Sequence, residues 1–271
     1  MLRQEPGAMG RWVRRLLRRL GWDLVRIQKQ PKTERTGRIS FHRTLTGDYF
    51  LPADAHADAI VQAIKSDRIF DIEVYDVMRK YVVPGTAVLD VGSNFGQMAV
   101  LMSRLVGSGG VVHAFEADDF VFELLKKNVA ANASNIIAHF GAVHHEGGEV
   151  LFFPVQDFER FGTYGSYGID YVGCQGRPVA SLAIDEIEFS LPVSFLKVDV
   201  QGGDLFALKG ALETINRYRM PILFEYESLF EDELRLCFQD CVDFVQAIDY
   251  RFVSVVNKTN YLILPSEGRT G

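Results

Sequence analysis

Short apolar runs alternate with helix-spaced stretches along most of this chain. Ala87–Val91 is a continuous apolar run interrupted only by Asp90. A run of this length, bounded by a glycine turn, predicts a strand buried on both faces. Gln97–Val106 then has helical spacing, and Val111–Phe115 is a second apolar run ending at Glu116. The pattern predicts further helices over Ala55–Ile64, Glu73–Tyr81, Phe120–Ala131, Leu205–Tyr218 and Leu234–Ala247. It predicts further strands at Ile136–Phe140, Val193–Val200 and Pro221–Tyr226. Val150–Phe153 and Pro178–Leu182 alternate as added antiparallel strands, and Phe252–Val256 with Tyr261–Leu264 as a closing hairpin. A strand or hairpin is also expected within Phe41–Leu51. Alternating strands and helices argue for an α/β fold with a doubly wound sheet.

The turn after the first buried strand carries the chemistry. It reads Asp90-Val91-Gly92-Ser93-Asn94-Phe95-Gly96. Glycines there let the backbone approach a ligand, and an acid such as Glu116 on the next strand can take both hydroxyls of a ribose. A dinucleotide site would have glycines where this chain has Asn94 and Gln97. A carboxylate at Asp90 opposes a pyrophosphate and favours a cationic ligand. S-adenosylmethionine, with a sulfonium and an ammonium, fits better than NAD.

The segment Asp90–Gly96 resembles the D-x-G-A-N-x-G signature of the FkbM family of S-adenosylmethionine-dependent methyltransferases. Phe115-Glu116-Ala117 resembles its F-E-P. Phe195–Asp204 resembles its I-K-x-D-x-E-G-x-E, and Ile222–Glu225 and Asn260–Pro265 resemble two of its later strands. The likeness covers about residues 70–265. Gln201 and Asp204 stand where the family usually has Glu, and Ala117 where it usually has Pro. The resemblance implies a Rossmann-like class I methyltransferase fold, mostly parallel with an antiparallel C-terminal hairpin strand, plus an N-terminal helical extension. It implies cofactor contacts from Asp90, Gly92, Ser93, Asn94, Gly96, Glu116 and Ala117, with Ala142 in the loop Gly141–His145. It also implies a sugar-type hydroxyl as acceptor, in a glycan, glycolipid or glycosylated metabolite. A polyketide-type acceptor, an NAD-linked oxidoreductase and a non-catalytic cofactor-binding protein are the alternatives.

Ligands of such sheets sit at the carboxyl ends of the strands. That rule selects Asp199 as candidate base, with Lys197 beside it on the same strand face. Glu225 ends the next strand. His144 and His145 form a second candidate set, since imidazole titrates near neutrality. Asp199, Asp204 and Glu225 are hard oxygen ligands, but their spacing is not diagnostic of magnesium, and no metal is expected. Phe158–Gly176, rich in Phe, Tyr and Gly, reads as a long loop whose aromatics suit a polyhydroxylated acceptor.

Charge changes the picture at the N-terminus. Residues 1–43 carry twelve Lys and Arg against three acids, while the remaining chain carries 17 against 32. Val13, Leu16, Leu17, Leu20 and Leu24 repeat at helical spacing opposite five arginines. This describes a basic amphipathic helix, with residues 11–24 suited to an anionic membrane surface; docking on the acidic domain or on another subunit are the alternatives. Nucleic acid is not expected as a partner. The expected organisation is an arm and linker over 1–38, a lead-in over 39–69 and the methyltransferase domain over 70–265. Three cysteines give no disulfide framework, and no run is long enough to span a membrane. A cytoplasmic protein, peripheral at the membrane's inner face, is the expectation.

Overall fold

The computed structural model describes residues 38–132, 135–156 and 162–266. The basic arm, Phe158 and Phe161 lie outside the described residues. The chain divides into two units, and the one described below is Thr36–Gly271.

The body is built on a seven-stranded sheet of order β11-β12-β10-β9-β3-β4-β5. Its strands are β3 (Ala87–Val91), β4 (Val111–Glu116), β5 (Ile136–Phe140), β9 (Val193–Val198), β10 (Ile222–Glu225), β11 (Tyr250–Val255) and β12 (Asn260–Pro265). β4 and β9 flank β3 in parallel, β5 pairs parallel with β4, and β10 pairs parallel with β9. β12 runs antiparallel to both β10 and β11. The order reverses at β3, which is fully buried. This is the doubly wound architecture expected, with the site-forming crevice at the switch point.

Helices cover both faces. One core gathers Phe95 from the turn after β3 with Val100, Met102, Leu124 and Leu125 from the helices Gln97–Val106 and Asp119–Asn132. The other gathers Leu196, Val198, Leu208, Ile215, Phe224 and Val245. β6 (Ala142–Val143), β7 (Val150–Phe153) and β8 (Arg177–Leu182) form a small separate sheet.

Two expected helices are broken. Leu205–Tyr218 is two helices, Asp204–Lys209 and Leu212–Tyr218. Gly210 separates them, and a Cβ there would lie 1.9 Å from the His144 carbonyl oxygen. The backbone of the β6 end therefore passes through the space a continuous helix of larger residues would need. Leu234–Ala247 is a single turn over Glu231–Leu234 followed by Phe238–Ala247, with Arg235 in the left-handed region at φ 52°. Cys237 thus caps the later helix instead of lying within it; it is exposed, as is Cys174, and Cys241 is buried.

The lead-in is a hairpin, β1 (Ile39–Thr44) with β2 (Gly47–Pro52), followed by the helix Ala59–Lys65. It is riveted to the sheet layer by amides. Asn128 accepts from the Phe50 N–H at 2.6 Å and donates to the carbonyls of Phe50 and Phe95. Asn132 brackets Asp48 in the same way. Gln97 accepts from the Phe70 N–H at 2.9 Å and donates to the Arg68 carbonyl at 2.9 Å. Residues 39–69 are therefore packed with the domain. Among the described residues no helix is long and apolar enough to cross a membrane.

Candidate functional site

The glycine turn is shaped by the strand ends around it. Gly92 has φ 79°, and a Cβ on it would meet the Asp199 carbonyl oxygen at 1.8 Å. The β3 turn and the β9 end cross too closely for any side chain there. Asn94 takes φ 51°, a conformation that Asn tolerates better than most residues. Its N–H donates to the Glu116 carboxylate at 2.9 Å. Gly96, at φ 85°, starts the following helix where a Cβ would meet Leu125 at 2.6 Å.

Glu116 ends β4. One carboxylate oxygen accepts from Asn94, and the other from the N–H groups of Ala117 and Asp118 at 2.9 and 2.8 Å. Burial pushes its carboxyl up to about 7, although these three donors favour the ionised form. The oxygen facing Asn94 has one donor, so it retains capacity for a ligand hydroxyl.

A second carboxylate group closes the other side. Lys197, buried on β9, lies 3.3 Å from Asp199 and 3.5 Å from Asp90. Burial alone would lower its ammonium, but Asp199 and Asp90 outweigh burial and hold it above its usual value. Burial likewise pushes Asp199 up, and Lys197, then Glu225 and Gln201, pull it below the usual carboxylate range. Glu225 is pushed up to about 10 by burial and by Asp199, so this pair holds a proton at neutral pH. The Gln201 amide donates to Asp199 at 3.1 Å and to Glu225 at 2.7 Å, and Thr259 donates to Glu225 at 2.9 Å. Gln201 thus sits where a bridging cation would sit, and a Glu there would crowd three carboxylates.

Both groups line one cavity of about 420 Å³, within the usual range of small-molecule sites. Ala117, Ala142, Phe153 and Ile169 give it an apolar side next to Glu116. Tyr164, Tyr167 and Tyr171 line it from the aromatic segment. Asp58 ties that segment to the lead-in: it caps the Ala59–Lys65 helix and accepts from Thr163 and the Tyr164 N–H.

The structure brings Gly92, Asn94, Glu116, Ala117, Ala142, Asp199 and Glu225 to the cavity wall. Asp90, Ser93, Gly96 and Lys197 lie behind it as support; the Ser93 hydroxyl donates to the Asp90 carbonyl at 2.7 Å. His144 is also outside the wall, buried against Tyr171 and Phe206. Asp204 starts its helix behind the wall, and burial followed by Asp199 pushes it up to about 8.

Several wall residues escaped the sequence reading. Asp71 stands at the start of the Ile72–Tyr81 helix with φ 51° and makes no capping bond. Its carboxyl faces the cavity and is pushed up by burial and then by Asp199. Asp is among the residues that tolerate this conformation best, and its side chain is not spent on the helix cap. Asn257, Thr259 and Asn260 come from the β11–β12 turn, and Glu227 from the end of β10.

The donor set suits a ligand with a diol at the Glu116 end and positive charge at the Asp199 end. S-adenosylmethionine has both, and the residues present fit it.

The chain is similar to several known proteins. The Caenorhabditis elegans protein-L-isoaspartate O-methyltransferase is 27% identical over 112 residues, covering 41% of this chain and 46% of that protein. The chain thus matches about half the length of that relative. An FkbM methyltransferase structure from Methylobacillus flagellatus is 16% identical with a TM-score of 0.43, over 70% of this chain and 49% of that one. A fibrillarin structure from Aeropyrum pernix with natively bound S-adenosyl-L-methionine is 14% identical with a TM-score of 0.39, over 86% and 84% of the two chains. The methyltransferase FkbM domain model matches residues 90–252, more than half of the chain. The chain belongs to the FkbM methyltransferase family.

Proposed function

We propose that this protein is an S-adenosylmethionine-dependent O-methyltransferase whose acceptor is an uncharged polyhydroxylated molecule, a sugar of a glycan, glycolipid or glycosylated metabolite. One observation carries the reading. Among the described residues the cavity wall has five carboxyl groups, from Asp71, Glu116, Asp199, Glu225 and Glu227, and no Lys, Arg or His. Asp199 is held ionised and no cation on the wall offers a counter-charge, so a phosphate or carboxylate on the acceptor is disfavoured there. That weighs against an isoaspartate acceptor, which presents a carboxylate, and against a nucleotide-linked sugar. Carboxylates and tyrosines side by side suit sugar hydroxyls and the apolar faces of a ring.

When bound, S-adenosylmethionine would supply a methyl group carried on its sulfonium sulfur. The chain's own residues do the rest. Glu116 fixes the ribose, and the strands β4 and β9 are two strand spacings apart, about 10 Å. Asp199 therefore stands beyond the ribose, on the side where the acceptor meets the methyl group. Lys197 keeps Asp199 ionised, and Asp199 orients the acceptor hydroxyl and takes its proton. Glu225, Gln201 and Thr259 hold the carboxylate in place. The tyrosine segment excludes water, and proximity supplies much of the rate.

The experiment is methyl transfer from labelled cofactor to a panel of neutral, phosphorylated and uronic glycosides. Neutral glycosides should gain one CH₂ mass. Asp199→Asn should lose on the order of 10²–10⁴ in turnover while still binding cofactor. Preferred methylation of the charged acceptors, or near-normal turnover of the variant, would sink this assignment.

A further inference from the structure

The turn joining β6 to β7 carries a second chemical centre that the methyl-transfer site does not use. Its residues are His144, His145 and Glu149, none of which lines the cavity. Each offers one ligand atom, and the three atoms lie within 4.8 Å of one another. His144 is buried, yet neither of its ring nitrogens has a hydrogen-bond partner among the described residues. A buried polar group without a partner is costly and asks for an explanation. Its Nδ1 points at Glu149, 3.5 Å from a carboxylate oxygen.

The 3.5 Å separation is longer than the roughly 2.7–3.2 Å of a made hydrogen bond, so the two groups face each other without bonding. Zinc binds histidine nitrogen and carboxylate oxygen at about 2.0–2.2 Å, so tetrahedral ligands stand about 3.4 Å apart. The His144–Glu149 separation already matches. His145 and Glu149 are exposed, and the His145 ring already packs on His144 with centroids 4.3 Å apart, so closing the third ligand needs only side-chain rotation.

The backbone of the turn is held on two sides. The His144 N–H donates to the Leu182 carbonyl at 2.8 Å, and the Glu149 N–H to the Ser181 hydroxyl at 2.8 Å. Ser181 in turn donates to the Glu146 carbonyl at 2.7 Å. On the other side Gly210 admits the His144 carbonyl. The ligands are therefore presented by a fixed turn, which lowers the ordering cost of binding.

We propose that His144, His145 and Glu149 bind a zinc-type divalent ion, with water in the fourth position. Two imidazoles and one carboxylate select zinc and its transition-metal neighbours over magnesium or calcium. The role is structural. The His144 ring stacks on Tyr171 and packs on Phe206, and Tyr171 is part of the cavity wall. An ion there would stiffen the back of the aromatic wall.

The test uses the full-length protein, stripped with a chelator and titrated with zinc chloride. We expect one zinc per chain and a rise in unfolding temperature. His145→Ala and Glu149→Gln alter exposed side chains, so folding is not at stake; each should weaken zinc binding at least tenfold and abolish the thermal shift. Cobalt in place of zinc should give the intense visible absorption of a four-coordinate ion. No stoichiometric zinc, or zinc held equally well by either variant, would overturn the site. Neither result depends on methyl transfer, so it fails or stands apart from the function proposed above.

Discussion

Glu116 illustrates what a single residue can and cannot disclose. Its position after an apolar run, one turn and one helix beyond Asp90, marks it as a ribose ligand in the sequence. Its protonation does not show there, because it depends on burial and on three backbone donors brought in by the fold. In the ligand-free site its carboxyl is held up at about 7 from an ordinary 4.5. The sign follows. The raised value means this group's contribution to stability is fully present below 4.5 and is lost as pH rises through about 7. Binding runs the other way, since two ribose hydroxyls prefer the ionised acceptor. Cofactor affinity should rise about tenfold per unit of pH up to about 7 and then level off. Glu116→Gln should remove this dependence on Glu116 and weaken binding by about tenfold or more. Calorimetry across the range checks it, with the variant separating Glu116 from the cofactor's own amine. A wild-type profile no steeper than the variant's would refute the protonation argument. Asp71 marks the opposite limit: by sequence it reads as a residue just ahead of a helix, and only its place on the cavity wall and the approach of Asp199 reveal it.

At the scale of elements, the buried parallel strands were the most legible, because burial on both faces leaves continuous apolar runs. β3, β4 and β5 fall where the runs fall. The helix boundaries were less so. The apolar spacing continues through Gly210, and the break there comes from a backbone 66 residues away in sequence, at His144. Gln97 shows the same limit: by sequence it is a missing glycine of a dinucleotide loop, while in the fold it holds the Arg68–Phe70 backbone. Gly92 was read as room for a ligand, and the structure adds a reason within the protein itself. Its Cβ would strike the Asp199 carbonyl, in a conformation that L residues rarely adopt. Gly92→Ala should therefore separate the turn from the β9 end, destabilising the domain by about 1–3 kcal/mol. It should weaken cofactor binding and turnover together, because Asn94 and Asp199 both move. Chemical denaturation alongside cofactor titration checks this; unchanged stability with lost binding would return Gly92 to a purely ligand-facing role.

At the scale of the molecule, the compact body begins at Thr36, well before the family match at residue 90. Deleting residues 1–35 should leave a folded, cofactor-binding protein. Deleting residues 1–58 should lower the unfolding temperature markedly, since the side-chain amides of Asn128 and Asn132 lose their hydrogen-bond partners in the hairpin, Phe50 and Asp48. The arm itself we assign to an anionic membrane surface, from its pattern of arginines and leucines. Full-length protein should sediment with anionic vesicles, less so as salt rises, and the 36–271 piece should not. Indifference of the full chain to such vesicles at low salt would refute the membrane assignment.

The lead-in has a consequence for how acceptor choice is inherited. Ala59, Ile60, Phe70 and Asp71 form one wall of the cavity, yet they precede the stretch shared with the family. The shared stretch supplies the glycine turn, Glu116 and Asp199, to which we assign the cofactor and the chemistry. The wall contributed from outside it is free to diverge without disturbing that chemistry. We expect acceptor preference to be partly modular: exchanging residues 38–71 with the equivalent segment of a relative should shift which acceptor is methylated while cofactor affinity, read by calorimetry, is kept.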